Sequence, residues 1–395
     1  MARLCLNMIV KNEAPIIEET LRLVCAKFPI DYWVISDTGS TDGTQDIIQQ
    51  TMIDLRISGE LHQDRWINFG DSRQRALDHA RGKADYILFF DADDTIEGDV
   101  RIPFEQGQDA FYADFKSEDS STTYSRILVV KDGVAKWRGV LHEFVELADQ
   151  SRVSDLEGNY HVVSRRLGNR SQQPNKYLMD AELLARAIEE GRDPDLYTRY
   201  LFYCAQSYRD AGVPSEAKKW YLRRAEEASG WAQERYVSYL NLGYLAESEA
   251  DHANALYYWG LATTIDPYRM EAWYHLTRLH HWNNRPQMAY LFAQHGAELN
   301  YVHTSLFASR DIYDYWMTYE NFMLAYDCRD FARSYQFLKR LIASPAPQYL
   351  YLNQENRIRD LARFVKEDTH ENVQKLIQTV RDKQVDAVLG WLNLV

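Results

Sequence analysis

Residues 86–95, Tyr86-Ile87-Leu88-Phe89-Phe90-Asp91-Ala92-Asp93-Asp94-Thr95, pass from an apolar run straight into three carboxylates within four positions. A short apolar run ahead of a polar break reads as a buried strand. Like charges gathered at its end repel, and burial raises that cost. A surface turn or a helix cap is one explanation for such a run. The other is a divalent cation held by carboxylate oxygens together with substrate phosphates, an arrangement that suits Mg²⁺ and Mn²⁺.

The same strand-then-polar pattern recurs upstream. The run Leu4 to Val10 (LCLNMIV) is followed by Lys11-Asn12-Glu13-Ala14 and by Pro15, a favoured first helical residue. Asp31 to Ser36 (DYWVIS) gives way to the loop DTGSTDGT at 37–44 and then to the helical pattern QDIIQQTMI. A third unit runs from a polar turn near Asp71 through the helix SRQRALDHARG to the strand ending at Phe90. Short buried runs alternating with helices predict a mostly parallel sheet flanked by helices. From about Ala110 to Leu147 the pieces DAFYADF, TYSRILVV and WRGVLHEFVEL predict an antiparallel extension of the same domain, with a hairpin turn at Asp132-Gly133.

In open α/β sheets, ligands bind beyond the carboxyl ends of the strands. Asn12-Glu13, the 37–43 loop and the acidic run are therefore expected on one edge. The loop carries neither GxGxxG nor GxxxxGK[ST], so it is not a dinucleotide fingerprint or a P-loop. Asp37 at a strand end suits a nucleobase imide or a ribose hydroxyl, whereas Asp42 and Thr44 suit capping of the next helix.

Residues 161–175 (HVVSRRLGNRSQQPN) place Arg165, Arg166 and Arg170 among Gly, Asn and Pro, and read as a basic, mobile linker. Beyond them the pattern is helical. Leu201 and Ala217, Tyr239 and Ala255, and Trp273 and Ala289 all lie sixteen apart, with Trp316 and Ala332 a poorer fourth pair. With Leu242, Gly243, Trp259, Ala262 and Pro267, the second unit fits a tetratricopeptide pattern of paired helices. Arrays of this kind form concave surfaces for peptides or other proteins. Their aromatics read mainly as core, and His280-His281 as packed or solvated rather than metal-binding.

The chain has 395 residues, 46% hydrophobic and 26% charged, enough for two or three domains. Its net charge of −13 argues against a large nucleic-acid footprint but leaves room for an anionic small molecule. No apolar run approaches a membrane span, and the N-terminus reaches charged residues too early for a signal peptide. Cys5, Cys25, Cys204 and Cys328 show no zinc or disulfide spacing. The expected location is the cytoplasm.

The ordered set LCLNMIVKNEA, WVISDTGSTDGT, FGDSRQRALDHARG, YILFFDADD and WRGVLHEFVE resembles family 2 glycosyltransferases with a GT-A fold, over roughly residues 3–175. The resemblance implies a GT-A (Rossmann-like) α/β nucleotide-sugar domain over 1–175, tetratricopeptide-like all-α repeats over 176–345 and a helical cap over 346–395. It gives Asp37 to uracil, Arg73 to the nucleotide, Asp91 to the ribose or sugar and Asp93 to the metal. His142-Glu143 falls where the family places its catalytic carboxylate, so Glu143 becomes the general base, with His142 beside the substrate. His161 resembles a further metal contact, and Arg165 or Arg166 would face the diphosphate. Three positions depart from common family residues: Ala14, Gln74 and Asp94. The implied reaction is metal-dependent (Mn²⁺ or Mg²⁺) inverting transfer from a UDP-sugar to a peptide or protein held by the repeats. A carbohydrate or lipid-linked acceptor, with the repeats used for self-association, is the alternative, and an inactive binding scaffold is a third.

Overall fold

The computed structural model describes residues 2–117, 123–165, 167–301 and 306–394. Two compact units are found, Met1–Gly212 and Val213–Val395.

The first unit opens with β1 (Leu4–Val10), α1 (Ile17–Lys27), β2 (Ile30–Asp37), α2 (Thr44–Leu55), β3 (Gly59–Gln63), α3 (Phe69–Ala80) and β4 (Tyr86–Phe89). Strands β1 and β4 are buried along almost their whole length, which is the mark of strands covered on both faces. There follow β5 (Asp94–Arg101), β6 (Ala110–Ser117), β7 (Thr123–Lys131), β8 (Ala135–Arg138), β9 (Phe144–Leu147), β10 (Val153–Asp155) and β11 (Glu157–Ser164). The main sheet runs β3-β2-β1-β4-β7-β6-β11-β5, with β10 beside β6. Its first four strands are parallel and β7 pairs antiparallel with β4, so the expected mixed sheet is present. Alternate side chains divide between two faces. Leu4, Leu6 and Ile35 pack with Ile17, Leu21 and Ile48, while Cys5, Val34 and Ile87 pack with Leu77 and Ala80.

Register sets the edge that carries the site. Val10 lies opposite Asp37 and Asn7 opposite Phe89, so the segments leaving β1, β2 and β4 emerge at the same end. Two local expectations are corrected. The Asp132-Gly133 turn exists, with Gly133 at φ 84°, but β8 leaves the main sheet and pairs with β9, so it does not close a β7–β8 hairpin. Residues 161–164 belong to β11: all four pair with β5 and Val162–Ser164 also with β6, and Val162 and Val163 are both buried. Helices α4 (Lys176–Glu189) and α5 (Tyr197–Asp210) complete this unit.

The second unit is all helical, from α6 (Pro214–Glu226), α7 (Ala232–Ser248), α8 (His252–Ile265), α9 (Met270–Trp282) and α10 (Pro286–Gly296) to α11 (Met317–Asp327) and α12 (Phe331–Ala343). Helices α13 (Tyr349–Leu352), α14 (Glu355–Val365), α15 (His370–Asp382) and α16 (Ala387–Trp391) close it. Ala255, Ala289 and Trp259 are fully buried, as the repeat pattern requires. Gly243 explains one close crossing: a Cβ there would lie 2.1 Å from Trp259 Nε1. The fourth pair breaks down, with Trp316 in a π-helical turn and Ala332 exposed. His281 is packed, its Nδ1 2.7 Å from Glu320. Among the described residues no helix is long and apolar enough to cross a membrane, and the four cysteines are free.

Candidate active site

The loops after β1 and β2 are laced together. The Asn12 amide donates to Ser40 Oγ and the Thr41 amide to Asn12 Oδ1, each at 2.8 Å. Glu13 and Ala14 amides donate to Thr44 Oγ1 and Asp42 Oδ2 at 2.8 and 3.1 Å. Asp42 also accepts from the Thr44 amide at 3.1 Å, but the expected cap is not formed: Gly43 is the N-cap of α2 and no side chain caps the helix. Asp37 is buried, and its Oδ1 accepts the Gly39 and Ser40 amides at 2.8 Å. Its Oδ2 is buried without a partner. An unpaired carboxylate oxygen costs free energy there.

The three carboxylates of the acidic run separate. Asp91 Oδ1 takes Arg73 Nη2 of α3 at 2.6 Å, and its Oδ2 takes Arg126 Nη2 of β7 at 3.0 Å. Burial alone would raise the Asp91 pKa, but the two guanidiniums outweigh it and hold the carboxyl well below its usual range. Arg126 also reaches Asp94 Oδ2 at 3.1 Å and stacks over Phe115 at 4.2 Å. Asp94 is buried, and burial, then the charges of Asp91 and Asp93, push its pKa up to about 7 despite Arg126. Asp93 faces elsewhere. Its Oδ2 accepts the Gly168 amide at 3.2 Å, and its carbonyl accepts Arg165 Nε at 3.3 Å. Beside it Glu13 Oε2 accepts the Asn169 amide at 3.4 Å. Burial, with the Asp93 and Asp42 charges, raises Glu13 to about 7.

Arg73 connects this cluster to the second half of the domain. Its Nε donates to Glu143 Oε1 at 2.7 Å, while its guanidinium lies 4.9 Å over the Trp137 ring. The α3 helix that carries Arg73 starts cleanly because Asn68 Oδ1 accepts the Asp71 amide at 2.8 Å. Glu143 and Asp91, far apart in sequence, thus share one guanidinium. His142 sits next to this contact with φ 52°, its ring stacked 3.9 Å from Tyr203 and its carbonyl accepting from Arg199. Arg165 additionally pairs with Glu19 at 3.2 Å. Arg170 stacks over Phe69 at 4.4 Å and bonds Asp180. Arg166 lies outside the described residues.

Asp37, Arg73, Asp91, Asp93 and Glu143 thus lie at the carboxyl edge or are bonded to residues there, whereas His161 is not brought to Asp93. In the β11–β5 register Ser164 faces Asp94 and His161 faces Glu97, about 10 Å further along at 3.3 Å per residue. Among the described residues no set of three His, Cys, Asp or Glu side chains forms a ready metal cage. Two groups are not evident from sequence. Arg126 is one residue of a strand whose place between β4 and β6 only the topology reveals. Glu13 belongs to a polar strand end that the sequence does mark, but its proximity to Asp93 depends on the return of residues 168–169.

Residues 5–103 match the family model for glycosyl transferase family 2. They form a family 2 glycosyltransferase domain. The matched part includes Asp37, Arg73, Asp91 and Asp93 and stops short of Arg126 and Glu143, so those two are placed by geometry alone. No curated protein matches the chain in sequence. Among solved structures, the chain is distantly similar to S. aureus TarS 1–349 in complex with UDP-GlcNAc. That likeness has 14% identity and TM-score 0.34, covering 66% of this chain and 91% of that one. A similar likeness joins it to the mannosyltransferase PcManGT from Pyrobaculum calidifontis in complex with GDP-Man and Mn²⁺, with 14% identity and TM-score 0.33, covering 67% and 86%. A Podosopora anserina putative kinesin light chain with TPR-like repeats shares 15% identity and TM-score 0.32, covering 44% and 88%.

Proposed function

We propose that the chain transfers a sugar from a UDP-sugar to an acceptor hydroxyl with inversion at the anomeric carbon. The observation that carries the reading is the Arg73 bridge, which ties a carboxylate of the acidic run to a carboxylate suited to act as base. Asp37 Oδ2 supplies the acceptor that a uracil imide N–H needs. Arg73 and Arg126 fix Asp91 toward the ribose or the sugar. Glu143 accepts the acceptor's proton: Arg73 holds its Oε1 and orients the carboxylate, leaving Oε2 for the incoming hydroxyl. Arg165, whose Nε donates to the Asp93 carbonyl, would meet the departing diphosphate.

A divalent cation fits the Asp93 corner. Asp93 and Glu13 are adjacent carboxylates whose mutual repulsion a cation relieves, and Mg²⁺ or Mn²⁺ commonly uses one or two carboxylates plus phosphate oxygens. Asp93, with Glu13 beside it, would hold the ion, which supplies charge neutralisation on the diphosphate when bound. His161 lies too far along β11 to join them.

The test is calorimetric titration of the full chain with a panel of UDP-sugars, with and without Mn²⁺ or Mg²⁺, followed by a donor-hydrolysis assay. Binding of at least one UDP-sugar with a metal-dependent affinity is expected. Absence of binding to every member of the panel sinks the reading. For the acceptor, the repeats support a peptide or protein, while a cavity in the first unit favours the carbohydrate class.

A further inference from the structure

Next to the Arg73 bridge lies a cavity of about 150 Å³, walled by Asp71, Trp137, Arg138, Gly139, Arg192 and Asp193. As a 150 Å³ cavity in another protein admits benzene, this one has room for one small ring. It exists because the backbone is shaped to leave it. Gly139 has φ 95° and Asp193 φ 41°, a left-handed conformation rare for a residue with a side chain. Helix α3 presses close above, where a Cβ on Gly70 would lie 2.1 Å from the Gly139 carbonyl.

The wall charges are balanced and already paired. Asp71 accepts from Asn68 Nδ2 at 2.8 Å and faces Arg192 at 3.6 Å. Asp193 accepts the Tyr200 hydroxyl at 2.6 Å, and Arg138 grips Asp195 through 2.7 and 2.9 Å bonds. An anionic ligand would meet two carboxylates there, and a cationic one two guanidiniums. Carboxylates only accept and guanidiniums only donate, whereas a hydroxyl does both. A neutral ligand rich in hydroxyls is therefore the class that uses both sets at once, with the Trp137 ring as an apolar wall.

The position adds a role. Val140 stands three residues before Glu143, within about 10 Å along the chain; a Cβ on Gly139 would lie 3.5 Å from the Glu143 Cα, and Trp137 carries Arg73 on its ring. We propose that this cavity is an acceptor-side subsite that takes a single neutral sugar unit. Its place in the reaction rests on the transferase reading; its ability to bind a sugar does not.

Saturation-transfer NMR on the full chain, without nucleotide or metal, tests it directly. The probes are the methyl glycosides of glucose, galactose and N-acetylglucosamine at millimolar concentration. At least one is expected to receive saturation from wild type. Arg192→Ala, which removes an exposed side chain and leaves the backbone cap on α4 in place, is expected to weaken that binding about fivefold, the loss of one hydrogen bond. Asp193→Asn tolerates the left-handed backbone and keeps an acceptor for Tyr200, and should weaken binding to a similar degree. The inference is overturned if no glycoside binds wild type, or if binding is unchanged in both variants. A UDP-sugar titration in parallel separates the two ideas. Glycoside binding that depends on Arg192, in a protein that ignores every UDP-sugar, would end the transferase reading while leaving the sugar site standing.

Discussion

Replacing Arg73 by Gln tests whether the site is held together as described. Arg73 makes two charge-assisted bonds, 2.6 Å to Asp91 and 2.7 Å to Glu143, and its side chain is 12% exposed. Breaking a buried ion pair by removing one partner costs about 3–5 kcal/mol, mostly because the other charge is left uncompensated. Asp91 retains Arg126, so the larger share of that cost falls on Glu143. Arg73→Lys keeps the charge but lacks the planar fork, so it serves one carboxylate at a time and should lose about half as much. Hydrogen exchange at amides of β1 and β4 reads the stability of the first unit without requiring both units to unfold together. At 1.4 kcal/mol per decade, exchange in Arg73→Gln should speed up roughly a hundred- to several-thousand-fold, with Arg73→Lys between it and wild type. Wild-type exchange in Arg73→Gln would refute the bridge.

Other consequences come from the same geometry. Glu143→Gln should lower turnover by about 10²–10⁴ while leaving UDP-sugar affinity, measured by calorimetry, within about twofold; a rate near wild type removes Glu143 as base. Glu13 and Asp94, raised to about 7, bind protons in the folded state that the unfolded chain releases, so their contribution to stability is full near pH 4 and lost as pH rises through 7. Exchange of β1 amides should accordingly show stability falling between pH 5 and 8, after correction for intrinsic exchange, and Asp94→Asn should flatten that slope; equal slopes in both proteins would contradict the burial argument. Gly243→Ala forces a Cβ to 2.1 Å from Trp259 Nε1 and should destabilise the helical unit by about 1–3 kcal/mol in exchange of α7 and α8 amides.

What could be read without coordinates was whatever local periodicity encodes. The alternation of apolar runs and helices fixed β1, β2 and β4, and with them the edge where Asp37, Asp91 and Asp93 lie. The repeat spacing located Ala255 and Ala289 because a small residue at a helix crossing is a local requirement. Pairing between distant strands is not local, and there the reading failed. Arg126 is one polar residue in TYSRILVV until β7 inserts between β4 and β6 and aims it at Asp91. The segment beginning at His161 looks like linker because Arg165, Arg166 and Arg170 stand among Gly, Asn and Pro, yet Val162 and Val163 belong to a strand paired on both sides. That strand also removes His161 from the metal corner.

The three carboxylates that crowd together after Phe90 are reconciled without a common partner. Asp91 is neutralised from both sides by Arg73 and Arg126, and Asp94 shares Arg126 while burial draws its pKa toward neutrality. Only the Asp93 carboxylate turns away, its Oδ2 accepting the Gly168 amide while the Asp93 carbonyl accepts the Arg165 amide. Arginines already compensate the two carboxylates nearest the sheet, so a cation at Asp93 would act on that corner rather than on the sheet. The Asp93 oxygen that accepts the Gly168 amide keeps a further lone pair, so the carboxylate would be able to hold an ion without giving up that bond.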